Sequence, residues 1–287
     1  MIKLIASDMD GTLVGNDQKI SKGNLKAIRA AQGKGIAFVI VTGRTYEDVK
    51  PMLDEYGLQC ECVLMNGSEY KDAEGRTLMG VYLAKAIVPE ILNVMAAMGF
   101  AFEMYTDQGY YTTNTRETLF KGMLNRAKTY YPGSKDPAEL YQKAMAHPHF
   151  VKMHYVTDLT GFLKTDVNIG KIVSFAESIE EISRLREALQ RLPGLAISSS
   201  FVTNIEINDF KATKGHILAN VAEKIGLAKD EIAVLGDSLN DYSMFVEFPH
   251  SFAMGNAIPE IKEAAKYITA TNAEDGVAKA IYRILEM

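Results

Sequence analysis

The stretch Ile2-Lys3-Leu4-Ile5-Ala6-Ser7-Asp8-Met9-Asp10-Gly11-Thr12-Leu13 decides the fold, because an apolar run stops abruptly at a pair of carboxylates. Leu4 and Ile5 suit a strand buried in a parallel sheet covered on both faces, and in open α/β sheets ligands bind just beyond the carboxyl ends of such strands. That places Asp8 and Asp10 at the mouth of a site. Gly11 permits the tight turn that lets main-chain N–H groups face an anion, and Thr12 adds a hydroxyl. Taken alone, the same residues also suit a strand followed by an Asx-type turn. Partners further along the chain decide between the two.

Working outward, Ser21 is placed to cap a helix with Leu25 and Ile28 on its apolar face, ended by Gly33 and Gly35. A second apolar run, Ile36 to Val41, stops at Thr42-Gly43-Arg44, and a third, Cys62 to Met65, stops at Asn66-Gly67. Between them Thr45 is placed to cap a helix that Gly57 stops. Strand, helix, strand, helix predicts a parallel sheet, and a hairpin through Asp72-Ala73-Glu74-Gly75 is expected to lead to Leu78. Gly33-Lys34-Gly35 precedes its strand and lacks a third glycine, which argues against a dinucleotide fingerprint.

From about Tyr82 to Ser200 tyrosines become frequent and loops lengthen, and the reading is an inserted α+β domain over 82–200, with the core formed by 1–81 and 201–287. Ser178-Ile179-Glu180-Glu181 predicts a capped helix there, with Ile182, Leu185 and Leu189 on one face. His147, His149 and His154 suggest a metal cluster, but the Pro148 turn and the lack of acidic neighbours in sequence argue against it. The first pattern is then expected to resume: a strand containing Ile205 and Ile207 leads to Lys214-Gly215, and Ile232 to Leu235 stops at Gly236-Asp237-Ser238-Leu239-Asn240-Asp241. The fold class expected is therefore α/β, a doubly wound parallel-sheet core carrying an inserted α+β domain.

Composition excludes several functions. A chain of 287 residues, 47% apolar, is long enough for a sizeable core, and a net charge of −5 argues against general nucleic-acid binding. The first apolar stretch is too short for a signal peptide and is interrupted by Asp8, and no run approaches the length of a membrane span, so a cytoplasmic location is expected. Cys60 and Cys62 are the only cysteines, on one face of a strand, and are expected to be buried thiols. No segment marks a protein partner.

An acid pair, a hydroxyl, an ammonium and a second acid cluster, each placed after a strand of one sheet, suit phosphoryl transfer. A phosphate would be repelled by Asp8, Asp10, Asp237 and Asp241 unless a divalent cation bridged them, and oxygen ligands favour Mg²⁺. Asp8-Met9-Asp10-Gly11-Thr12-Leu13, Val41-Thr42-Gly43-Arg44, Lys214-Gly215 and Gly236-Asp237-Ser238-Leu239-Asn240-Asp241 together resemble the haloacid dehalogenase superfamily of phosphatases, and Ala253-Met254-Gly255-Asn256-Ala257 resembles its Cof-type, subfamily IIB-like branch. Phe248-Pro249 and Asn208-Asp209-Phe210 depart from that branch without touching a catalytic position.

The resemblance implies a Rossmann-like core with a cap, and Asp8 as the nucleophile that becomes an aspartyl phosphate. It implies Asp10 as general acid and base, and a Mg²⁺ site made by Asp8, Asp237 and the main-chain carbonyl of Asp10. Thr42, Gly43 and Lys214 would bind the phosphate, with Gly11, Asn240 and Asp241 in support and Arg44 open between substrate contact and structural ion pair. The expected activity is hydrolysis of a small phosphorylated metabolite such as a sugar phosphate. The alternatives are a sugar phosphomutase using the same intermediate and a phospho-aspartate signalling module. The second acid argues against signalling, because it speeds turnover where a signal needs persistence.

Overall fold

The computed structural model describes residues 1–15, 17–134 and 136–287. In chain order the strands are β1 (Leu4–Ser7), β2 (Ala37–Val41), β3 (Glu61–Leu64), β4 (Glu69–Lys71), β5 (Thr77–Gly80), β6 (Glu103–Thr106) and β7 (Gly109–Thr112). They continue with β8 (His154–Tyr155), β9 (Ile169–Phe175), β10 (Leu195–Ser198), β11 (Asn204–Asp209), β12 (Ile232–Gly236), β13 (His250–Ala253) and β14 (Tyr267–Ile268). The helices are α1 (Lys22–Gly33), α2 (Tyr46–Tyr56), α3 (Val88–Ala97), α4 (Arg116–Tyr130), α5 (Pro137–Ala146) and α6 (Pro148–Val151). After them come α7 (Leu159–Phe162), α8 (Ile179–Leu189), α9 (Lys214–Lys224), α10 (Tyr242–Glu247), α11 (Pro259–Ala264) and α12 (Gly276–Leu285).

Two compact units result: Met1–Val81 with Lys211–Met287, and Tyr82–Phe210. The first is built on an eight-stranded sheet in the order β14-β13-β12-β1-β2-β3-β4-β5. It is parallel from β14 through β3, and the β4–β5 hairpin closes one edge antiparallel. The central strands read as unbroken apolar runs because both faces are covered, and Leu4, Ile5, Val39, Ile40, Val234 and Leu235 are all buried. Ser21 caps α1 by accepting from the Asn24 N–H at 3.0 Å, so the helix starts where the sequence says it should. Its Ala27, Ile28 and Ala31 face the core, and α12 packs beside it through Val277, Ile281 and Ile284. Truncating Ile28 to Ala would cost roughly 2–5 kcal/mol.

The second unit carries a six-stranded sheet in the order β10-β11-β9-β6-β7-β8, antiparallel except for the β7–β8 pair. Ile172, Ile205 and Ile207 share an apolar core with Ile91 and Met95 of α3 and Leu185 and Leu189 of α8. Charge is also buried in this unit. Arg126 of α4 reaches Glu103 Oε1 at 3.1 Å and His149 Nδ1 at 2.6 Å, and its Nη2 donates to the Tyr105 hydroxyl at 2.8 Å. A guanidinium only donates, so His149 Nδ1 accepts and the ring is tied into this buried network. Among the described residues the three histidines form no metal-binding group. Cys60 and Cys62 are free and buried.

One expectation is corrected. The strand with Ile205 and Ile207, expected in the core, is β11 and lies between β10 and β9 in the second unit's sheet, and the chain re-enters the first unit at Lys211 instead of 201. Alternating apolar residues are the mark of an antiparallel sheet with unlike faces, and this strand differs in that way from the unbroken runs of β1, β2 and β12.

Candidate active site

β1 and β12 are neighbours in register, Ser7 opposite Leu235, and the Asp8 N–H donates to the Leu235 carbonyl at 3.0 Å. The strands therefore release Asp8 and Asp237 side by side. Gly11 completes the approach: at φ +79° it takes a conformation unsuited to other residues, and a Cβ there would lie 2.5 Å from Asp237 Oδ2. The Thr12 hydroxyl donates to Asp237 Oδ1 at 2.9 Å. Beyond β12 a tight turn brings Asp241 back, where its Oδ2 accepts from the main-chain N–H groups of Asp237 at 2.9 Å and Ser238 at 3.0 Å.

Lys214, expected after a strand of this sheet, instead opens α9 behind the cap residue Thr213. Its place is set by close packing: a Cβ on Gly215 would meet the Ser243 carbonyl at 2.1 Å, and one on Gly67 the Thr213 carbonyl at 2.6 Å. The fully buried Lys214 ammonium lies 2.6 Å from Asp8 Oδ1 and 2.6 Å from Asp241 Oδ1.

This crowding governs the charges. Burial, and then the negative charge of Asp241, push the Asp8 carboxyl well above the usual carboxylate range against the pull of Lys214. Asp237 is pushed up to about 7 by burial and then by Asp241, with the Ser238 and Thr12 bonds acting the other way. For Lys214, burial would lower the ammonium, but Asp241 and Asp8 outweigh it and hold it above the ordinary lysine range.

The Asp10 carboxylate stands apart from these acids, held by Arg44 through Nε at 2.8 Å and Nη2 at 2.5 Å. Of the two readings left open for Arg44, the structure displays the ion pair. Thr42 is buried at the end of β2, its hydroxyl accepting from the Arg44 N–H at 3.2 Å, and Gly43 forms the partly buried bend between them. The Asn240 amide donates to Asn66 Oδ1 at 3.2 Å. Gln18, which accepts from Arg44, and Asn66 were not singled out as site residues. Asn66 follows a parallel strand as Asp8 and Thr42 do, so a signal for it was present; Gln18 offered none.

Oxygen atoms of Asp8, Asp237 and Asp241 lie within 4.8 Å of one another, three carboxylates against the ammonium of Lys214. An all-oxygen donor set with surplus negative charge fits a hard divalent cation. A parallel α/β sheet whose strand ends gather such acids around a lysine is the framework of a phosphoryl-transfer hydrolase.

Comparison with known proteins gives the family. The profile of the haloacid dehalogenase-like hydrolases matches residues 5–281, and the chain belongs to that family. It is 30% identical over 286 residues to the phosphatase YwpJ of Bacillus subtilis, covering 99% of this chain and 100% of that one. To the 5-amino-6-(5-phospho-D-ribitylamino)uracil phosphatase YwtE of the same organism it is 33% identical over 288 residues, covering 99% and 98%. A solved haloacid dehalogenase-like hydrolase from B. subtilis superposes with a TM-score of 0.86 at 30% identity, covering 99% and 100% of the two chains. The protein is a phosphoric monoester hydrolase of this family. Among the described residues no helix is long and apolar enough to cross a membrane.

Proposed function

We propose that this chain is a Mg²⁺-dependent phosphatase that hydrolyses a small phosphorylated metabolite, a sugar phosphate or related compound, through an aspartyl phosphate on Asp8. The observation that carries the reading is the buried Lys214 ammonium bridging Asp8 and Asp241 at 2.6 Å each, beside Asp237. Asp8, Asp237 and the Asp10 main-chain carbonyl would hold the cation. When bound, the cation neutralises the acids and the incoming phosphate.

Asp8 attacks phosphorus, the bond to the leaving oxygen breaks, and Asp10 supplies that oxygen's proton. Water then attacks the aspartyl phosphate, Asp10 takes its proton, and phosphate leaves with Asp8 restored. Thr42, the Gly43 backbone and Lys214 meet the phosphoryl oxygens where charge is stabilised, while Gly11, Asn240 and Asp241 hold these groups in place. The 82–210 unit corresponds to the cap that the family resemblance implies, and would supply the side chains that select the leaving group. The phosphoribityl chain in the name of one relative supports a phosphorylated polyol or sugar as the class of substrate.

The test is phosphate release from a panel of sugar, polyol and nucleoside phosphates, with Mg²⁺ and with excess chelator, for the unaltered protein and Asp8→Asn. Release that needs Mg²⁺ and Asp8 is expected. Isomerised sugar phosphate without free phosphate would make the protein a mutase instead, and full activity in chelator would refute the metal.

A further inference from the structure

The motif Ala253-Met254-Gly255-Asn256-Ala257 has no part in the chemistry above, yet its asparagine reaches the catalytic turn. The Asn256 amide donates to the Gly11 carbonyl at 2.8 Å, and its Oδ1 accepts from the Asn272 N–H at 2.9 Å. The Asn272 amide donates in turn to the Val14 carbonyl at 3.1 Å. The same strap grips the other acid loop: the Met254 N–H donates to the Gly236 carbonyl at 3.1 Å and the Ile258 N–H to the Asp237 carbonyl at 3.0 Å.

We infer that Asn256, oriented by Asn272, is a positioning residue that clamps the loop of Asp8 and Asp10 to the loop of Asp237 and so sets the spacing of the carboxylates that take the cation. The inference rests on the metal site proposed above. Asp8, Asp237 and Asp241 repel one another, so the loops need a tie that does not depend on the acids themselves. Gly11, at φ +79°, is where the first loop comes against the Asp237 side chain, and its carbonyl is the atom Asn256 holds. Asparagine suits the task because one end must donate and the other accept; an aspartate would set oxygen against oxygen at Gly11. Asn256 is exposed, and an exposed neutral hydrogen bond adds little to global stability, so its effect is local.

The test uses the full chain with Asn256→Ala and, separately, Asn272→Ala. Three quantities are read: Mg²⁺ affinity by calorimetry without substrate, amide exchange in residues 9–14, and the thermal midpoint. Mg²⁺ binding weaker by about tenfold is expected, the lower end of what losing an outer-shell partner costs. Faster exchange in the turn should accompany it, with a midpoint shift below about 4 °C. Unchanged affinity and exchange overturn the inference. So does a large midpoint drop with unchanged affinity, which marks an ordinary structural bond. An unaltered protein that neither binds Mg²⁺ nor releases phosphate refutes the proposed function instead, and amide exchange then decides the clamp alone.

Discussion

Arg44 closes on both oxygens of Asp10, Nε standing 2.8 Å from Oδ2 and Nη2 2.5 Å from Oδ1. The fork aims the carboxylate and leaves each oxygen a second lone pair with which to meet a substrate. Arg44→Lys keeps the charge and loses the fork. The expected outcome is a fall of roughly tenfold in kcat with KM nearly unchanged, since misplacing a reacting group slows chemistry without weakening binding. Steady-state kinetics showing a raised KM at constant kcat would make Arg44 a substrate contact.

Asp10→Asn preserves the main-chain carbonyl and removes the proton carrier. With a sugar phosphate the rate should fall by about two to four orders of magnitude, whereas p-nitrophenolate leaves without much help. Rapid mixing with p-nitrophenyl phosphate should show a burst near the enzyme concentration as phosphorylated Asp8 accumulates, and Asp8→Asn should show none. Equal slowing for both substrates without a burst would make Asp10 structural.

Gly11→Ala puts a methyl group 2.5 Å from Asp237 Oδ2 at a backbone φ of +79°. The backbone alone costs about 1–2 kcal/mol. The greater effect should fall on the acids, which must move apart, so Mg²⁺ affinity by calorimetry should drop along with the rate. Retained affinity would show that the loops separate without harm.

In the second unit, Arg126→Met leaves Glu103 buried without its main partner, at a cost of about 3–5 kcal/mol at neutral pH. In the unaltered protein burial works to raise the Glu103 carboxyl, but the surrounding positive charge, Arg126 foremost, outweighs it and holds it below the usual range. That contribution is present above the unfolded pKa and is lost as pH falls through the lower folded value. In the variant burial dominates and the sign reverses, so acid relieves the strain. Thermal midpoints should therefore differ more at pH 7 than at pH 5, and an equal gap at both would sink this account.

Much of the core was legible because its signals are local. The apolar runs ending at Asp8, Thr42 and Asp237 are unbroken, and caps such as Ser21 satisfy N–H groups three residues away. What the chain order hid was membership of a sheet. Ile205 and Ile207 announce a strand, yet its partners β9 and β10 are chosen by packing of the whole second unit. In the site, the residue types were legible and the pairings were not. Arg44 meets Asp10, and Lys214 meets Asp241, only through tertiary approach. Gln18 and Asn256 reach the site from loops that carry no periodic pattern.

The pairing of Leu4 with Ile232 joins two segments separated in the chain by the whole of Tyr82–Phe210. On the ribosome β12 emerges only after β1 and the whole of Tyr82–Phe210 have been made, a delay on the order of tens of seconds at about 5–20 residues per second. The contiguous middle unit has all its strands in hand by then, while β1 waits with one edge unpaired and apolar. Asp8 thus emerges long before the lysine and acids that surround it, and the cluster cannot assemble until Asp241 has been synthesised.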